Sequence, residues 1–146
     1  KDLNVNLFLI SDGDVSGALL VSKPEYQIDI FLGIGGGPEG VLAASALDTY
    51  DCHFQGRFIF DRDKDIKVAK KMGINDLNRK YELNEIVKGD SIFCATAITD
   101  CMPNNSIKGV IKKSKSLFLT ETIFTHKSLD NKGVIKKEII FDEAKK

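Results

Sequence analysis

With 146 residues, 21 lysines plus arginines and 21 aspartates plus glutamates, the chain has room for one domain with a real core and carries no net charge. That balance excludes a bulk field drawing in nucleic acid or an anionic membrane, so binding must be local. No apolar run approaches the roughly 18 residues of a membrane span, and three cysteines without paired spacing, Cys52, Cys94 and Cys101, argue for a reducing compartment over a secreted disulfide framework.

Residues 5–10 are apolar and predict a core strand, entered at once and without the basic start or cleavage site of a signal peptide. A domain that opens this way implies chain upstream of it, and the expected location is the cytoplasm. Ser11-Asp12-Gly13-Asp14 follows as a turn, with Asp14 placed to cap a helix over residues 15–22 that Lys23-Pro24 closes. Residues 26–34 predict a second strand, apolar at successive positions as parallel strands covered on both faces are. A helix over 38–49 and a strand over 54–60 complete a strand-helix-strand-helix-strand order, the pattern of a parallel, right-handed unit. In such a unit the Asp-Gly-Asp turn and the glycine-rich residues 33–40 both follow strands. They then meet at the carboxyl edge of one sheet, where open α/β sheets bind ligands.

Residues 61–71 are strongly charged, with Ile66, Val68, Ala69 and Met72 as apolar positions and Gly73 placed to end them, which predicts a solvated helix laid on the sheet. Residues 75–81 predict a loop, 83–87 a short helix, 91–96 a strand and 99–105 a turn. Residues 107–111, 117–125 and 134–141 then predict antiparallel strands beside the parallel unit. Cys52 and Cys94 are expected to pack as small hydrophobes, and Cys101 to lie accessible in a turn.

The glycine-rich stretch Gly33-Ile34-Gly35-Gly36-Gly37-Pro38-Glu39-Gly40 reads as strand, turn and helix start. Its glycines permit positive φ and close approach of a ligand, and Pro38 suits the first helical position. Free N–H groups at such a start attract anions, phosphate above all. Glu39 would share that first turn with the phosphate, so the pair needs a cation between them. The alternative is a tight turn in which Glu39 merely complements the helix dipole. Asp12 and Asp14 flank a glycine at a strand end, where they can hold a metal, accept hydrogen bonds from sugar hydroxyls or act as a base. Alone, they equally describe an ordinary turn and cap.

These segments together resemble the class II fructose-1,6-bisphosphatases, a family that includes fructose-1,6-/sedoheptulose-1,7-bisphosphatases. The resemblance runs along nearly the whole chain. It is most specific in Ile10-Ser11-Asp12-Gly13-Asp14-Val15 and in residues 33–44, and continues through Gln55-Gly56-Arg57, residues 89–96, Ile98-Thr99-Asp100 and Thr120-Glu121-Thr122. It implies a carboxyl-terminal domain, residues 1–146, with the layered α/β sandwich of the sugar phosphatase and inositol monophosphatase type. It also implies a cytoplasmic homo-oligomer of gluconeogenesis, in which Mg²⁺ or Mn²⁺ activates water to hydrolyse the 1-phosphate of fructose 1,6-bisphosphate. Carried over by position, Glu39 is a metal ligand, Gly36 a substrate-contacting backbone position, and Asp12, Gly13 and Asp14 a substrate-binding turn. Ala97 and Cys101 stand where the family usually has glycine, and the region between Arg57 and Tyr81 looks shortened. The remaining metal ligands, the residues that position the nucleophile and a basic substrate cluster belong to an amino-terminal half absent from this sequence. The resemblance therefore implies no catalytic residue here and a chain that is silent alone.

Two other classes compete. Gly35, Gly37 and Gly40 satisfy the G-x-G-x-x-G pattern of a dinucleotide-binding module, with Asp61 after the next strand as a ribose-binding acid. A non-catalytic regulatory or assembly domain is the third reading. His53 and His126 lack ligand-like neighbours in sequence, and Lys112, Lys113, Lys115, Lys136 and Lys137 read as solvated surface before they read as phosphate sites. Position alone gives Glu121 no role.

Overall fold

An alanine- and leucine-rich run has high helix propensity, and a proline in the first turn gives up no intrahelical bond. The computed structural model, which describes residues 3–100 and 108–140, accordingly has its longest helix at Gly37–Asp48, preceded by a shorter one at Asp14–Leu19. We number these α2 and α1. Their small residues let the backbones approach closely: Ala18 on α1 packs with Ala43 and Leu47 on α2, and Leu19 with Ala46.

The carboxyl-terminal part is an antiparallel sheet of β3 (Ile92–Thr96), β4 (Ile111–Lys112), β5 (Leu117–His126) and β6 (Asn131–Ile140). The long strand β5 is central: β6 pairs with its whole length, and β3 and β4 pair with its two ends along the other edge. Phe93 of β3 closes onto Leu19 and Ala46, which joins the helices to the sheet.

Polar residues at the far end of α2 strengthen that join. Buried Asp48 accepts a hydrogen bond from Ser91 Oγ at 3.0 Å and pairs with Lys127, whose pKa it raises. The hydroxyls of Thr49 and Thr125, both buried, lie 2.8 Å apart, and Thr49 Oγ1 is 2.7 Å from the Ala46 carbonyl oxygen. Thr49 Oγ1 is the donor in both contacts, its single proton shared between the Ala46 carbonyl oxygen and the Thr125 hydroxyl.

The predicted parallel unit is not formed. The ladders among the described residues are all antiparallel, and residues 3–13 and 27–36 belong to none of them. The predicted strand over 54–60 contracts to β1 (Gln55–Arg57), which pairs antiparallel with β2 (Lys80–Glu82), in a region expected to be loop. β-branched composition makes a segment fit a sheet, but a ladder also needs a neighbour, and no described strand lies beside residues 5–10 or 26–34. The chain is thus a mixed α/β protein with antiparallel sheets.

The remaining helices follow their predicted places. α3 (Asp63–Lys71) carries acids in its first turn and lysines in its last, as its dipole favours, and Gly73 ends it at φ +88°. Of its predicted covering residues, Ala69 is buried and Ile66 half-buried, whereas Val68 and Met72 are exposed. α4 (Leu83–Ile86) starts with reciprocal bonds between Glu82 and Glu85 and their backbone N–H groups. Two further expectations change. Asp14 is the first helical residue and not the cap, because Gly13, at φ +80°, occupies the capping position. Cys94 is exposed, since β3 turns Phe93 inward and Cys94 outward; Cys101 lies outside the described residues.

Glu121 acquires a structural role. It is buried on β5, where Oε1 pairs with Lys136 Nζ at 2.7 Å and Oε2 accepts the Lys108 N–H at 2.9 Å. The Lys136 and Lys108 contacts hold its pKa below the usual carboxylate range. A depressed folded-state pKa stabilises fully above the unfolded value, about 4.3 for Glu, and that stabilisation is lost as pH falls through the folded value. Glu121→Gln should therefore lower stability at neutral pH and flatten its decline below about pH 4. Urea melts at several pH values read this directly, and an unchanged acid limb would show that other carboxylates govern it.

Glycine positions give a second test. At Gly109 an added Cβ would lie 2.5 Å from Thr99 C and 2.7 Å from Asp100 N, whereas at Gly40, inside α2, it would meet nothing within 4 Å. Gly109→Ala should destabilise by roughly 1–3 kcal/mol. Gly40→Ala should stabilise by up to about 1 kcal/mol through helix propensity. Thermal melts of the two variants should move in opposite directions.

Candidate functional site

The Asp-Gly-Asp turn and the glycine-rich loop come together although no parallel sheet carries them. Ile10 and Phe31 both lie against Gly17 of α1, where an added Cβ would be 2.6 Å from Ile10 Cδ1 and 2.7 Å from Phe31 Cε2. This packing sets the two approach segments side by side and delivers both turns to one open cleft of about 700 Å³. Ser11, Asp12, Gly13, Asp14, Ile34 and Glu39 are among its lining residues.

Within the cleft, Asp14 and Glu39 reach adjacent residues of the glycine loop. A Cβ at Gly35 would collide with Asp14 Oδ2, and a Cβ at Gly36 with Glu39 Oε2. The loop glycines thus provide space for carboxylates, not positive φ: Gly33, Gly35, Gly36 and Gly37 all avoid the left-handed region, and Gly36 sits at φ −68°. Gly13 is the residue of the site that needs glycine for its backbone, at φ +80°.

The electrostatics are one-sided. Asp12, Asp14 and Glu39 contribute acid, and among the described residues no lysine, arginine or histidine lines the cleft. Among the described residues nothing donates a hydrogen bond or forms an ion pair to any of these carboxylates, which leaves their oxygens for a ligand. Glu39 stands in the first turn of α2, which has no side-chain cap and no N–H at Pro38. The N–H groups of Gly37 and Glu39 therefore remain available in that turn.

These donors suit a hard divalent cation, which takes carboxylate, phosphate and water oxygens, commonly six or more for Ca²⁺ and six for Mg²⁺. The fit is partial. Among the described residues no three side chains of the acid, histidine or cysteine type cluster closely enough to hold a metal, so Glu39 and its neighbours offer part of a coordination sphere.

Candidates outside the cleft find other employment. His126 Nδ1 accepts the Leu129 N–H at 3.2 Å, so its neutral tautomer carries the proton on Nε2, 3.1 Å from Asp90 Oδ2. This carboxylate neighbour was not legible from spacing, yet the bonds fasten the β5 hairpin and build no metal site. Lys136 is committed to Glu121. Asp61 follows β1, which is antiparallel to β2, and among the described residues there is no parallel strand pair of the kind a dinucleotide-binding turn sits on, which counts against that reading.

The family model for bacterial fructose-1,6-bisphosphatase, glpX-encoded, matches residues 1–138. The chain belongs to this bacterial fructose-1,6-bisphosphatase family. Among curated relatives, D-fructose 1,6-bisphosphatase class 2/sedoheptulose 1,7-bisphosphatase of Thermosynechococcus vestitus is 36% identical, the match covering 75% of this chain and 35% of the relative. The protein of the same name from Crocosphaera subtropica is also 36% identical, with the same two coverages. The chain thus spans about a third of the length of the curated relatives it matches.

The placement of Glu39 against Gly36 makes a testable point about this family loop. Gly36→Ala should displace the Glu39 carboxylate with little change in melting temperature, so that any Mn²⁺ held by that carboxylate would bind more weakly, read by calorimetry or by paramagnetic broadening of loop signals. Unaltered Mn²⁺ broadening would show that Glu39 does not hold the ion.

Proposed function

We propose that this chain supplies one wall of the active site of a metal-dependent sugar bisphosphatase, acting on the 1-phosphate of fructose 1,6-bisphosphate. The observation that supports this most is the convergence of Asp12, Asp14 and Glu39, from two separate segments, on one open cleft beside the first turn of α2. Acids alone repel a phosphate, and a helix start alone holds one without needing acids. Acids at a helix start suit a cation shared with a phosphate.

In this reading Glu39 is a ligand of Mg²⁺ or Mn²⁺, and the α2 N–H groups beside Gly36 receive a phosphoryl oxygen. Asp12 and Asp14 accept hydrogen bonds from sugar hydroxyls, held in place by the left-handed turn at Gly13. The bound metal would supply Lewis-acid polarisation of the phosphate and a water of lowered pKa. Hydrolysis would join a water oxygen to phosphorus and break the bond between phosphorus and the sugar C1 oxygen, the proton given up by the water going to that oxygen overall, to give fructose 6-phosphate and inorganic phosphate. No residue of this chain is assigned as the base. In the family-length protein the arrangement becomes a layered α/β sandwich of the inositol monophosphatase type, with the remaining metal ligands contributed from outside the matched region.

The test is a chimera in which this chain replaces the matched part of the Thermosynechococcus vestitus relative, assayed for Mn²⁺- and Mg²⁺-dependent phosphate release from fructose 1,6-bisphosphate. Activity is expected in the chimera and not in the chain alone, and Glu39→Gln should reduce it by about 100-fold or more, at or beyond the loss seen when the supports of metal ligands are removed. Full activity in Glu39→Gln would overturn the ligand assignment. Phosphate release by the chain alone would overturn its incompleteness.

A further inference from the structure

In the turn between β5 and β6, four consecutive N–H groups each have an acceptor. Lys127 donates to the Ser91 carbonyl at 3.0 Å, Ser128 to Asp90 Oδ1 at 3.1 Å, Leu129 to His126 Nδ1 at 3.2 Å and Asp130 to the Lys127 carbonyl at 3.1 Å. The turn needs holding, since Asp130 sits at φ +44°, in the left-handed region that a Cβ disfavours. Two of the acceptors are carbonyls, and the third is a carboxylate whose pKa the Ser128 contacts lower. The fourth is different in kind, because a histidine nitrogen takes up a proton between about pH 8 and 5 and then cannot accept.

The charges around the ring are few. Asp90, just before β3, meets it directly, with His126 Nε2 3.1 Å from Asp90 Oδ2. Lys127 is tied to Asp48 at the end of α2, with Asp51 adding to the attraction. Lys132 on β6 pairs with Asp130 at 3.0 Å and lies over the Tyr50 ring. Opposite His126 in the sheet stand Ile92 and Asn131, both uncharged. Both lysines thus have acids of their own, which leaves Asp90 as the charge that answers a proton on the ring.

We propose that His126 is a proton-operated latch on the β5–β6 turn. Neutral, it accepts the Leu129 N–H and donates from Nε2 to Asp90. One proton taken from solvent at Nδ1 turns the acceptor into a donor: the bond to Leu129 breaks, the contact with Asp90 becomes an ion pair, and the tip of the turn, with the exposed Leu129 side chain, is released. The turn is closed above the pH at which the ring titrates and open below it. Its base stays, because Lys127 is held by the Ser91 carbonyl and by Asp48, neither of which depends on the ring. Nothing here requires a ligand in the cleft, so the latch stands or falls apart from the reaction proposed above.

Nuclear magnetic resonance of the nitrogen-15-labelled chain at about pH 8 and about pH 5 tests it. A coupling across the hydrogen bond between Leu129 N and His126 Nδ1 should be present at the higher pH and absent at the lower. Leu129 amide protection, corrected for the intrinsic rate, should fall by about fivefold, the worth of one ordinary hydrogen bond. Lys127 amide protection should hold. His126→Asn places a non-titrating oxygen near the position of Nδ1 and should keep Leu129 protected at both pH values. Asp90→Asn removes the anion that favours the charged ring and should move the wild-type transition to lower pH. Leu129 protection that stays flat in the wild type, or falls equally in His126→Asn, would overturn the latch. So would an equal fall at Lys127, which would mean general unfolding, or a transition unmoved by Asp90→Asn. Should His126→Asn not fold, the coupling and the Asp90→Asn shift decide the matter by themselves.

Discussion

The fold depends on how the carboxyl-terminal end of α2 is fixed to the sheet. Asp48 is nearly inaccessible, and an isolated carboxylate there would be costly to bury. The Ser91 hydroxyl and the Lys127 ammonium meet it from β3's leading edge and from the turn after β5, and the Thr49–Thr125 pair adds a contact one residue along. Removing one partner from such a cluster leaves a buried polar group unsatisfied, a penalty of about 1–3 kcal/mol. The helix is a rigid rod of three turns. A fix at one end therefore sets the position of Glu39 and the glycine loop at the other, while the Ala18, Ala43 and Leu47 contacts hold α1 and its Asp-Gly-Asp turn alongside.

What the sequence made legible follows from what is local in each element. α2 was readable because alanine, leucine and a first-turn proline act within the helix itself, and Gly73 was readable as a stop because a left-handed residue ends a helix whatever surrounds it. The long strand β5 was readable from its own run of β-branched and aromatic residues. Residues 5–10 and 26–34 carry the same kind of signal, yet they form no ladder among the described residues, because pairing belongs to two segments and no described strand lies beside either of them. β2 was missed for the opposite reason: Lys80-Tyr81-Glu82 looks like polar loop, and becomes a strand through its register with Gln55, Gly56 and Arg57.

The site was legible in composition and in the convergence of its two segments, but not in what brings them together. Asp12, Asp14 and Glu39 stand out in the sequence, and the structure gathers them, but by packing of Ile10 and Phe31 on Gly17 and not through a shared parallel sheet. The loop glycines are explained differently too. Backbone freedom is used at Gly13, whereas Gly35 and Gly36 are small so that the Asp14 and Glu39 carboxylates can lie against the chain. Glu121 and His126 show the limit of reading by residue type: both look chemical in a string of letters, and both spend their polar atoms on holding the β5 hairpin and the Lys108 segment together.

Magnitudes decide how acids could share an open cleft with a phosphate. A phosphate oxygen about 4 Å from Glu39 would be repelled by about 4 kcal/mol at an effective dielectric near 20. The α2 dipole returns only about 0.3–1 kcal/mol at its first turn, and among the described residues no basic side chain of the cleft makes up the difference. A shared divalent cation reverses the sign of the balance, since it attracts both partners at shorter range than they repel each other. Under the proposed function, the same accounting makes Glu39 without a cation an obstacle to a phosphate ester, so the loop would accept phosphate with a metal bound and repel it without one.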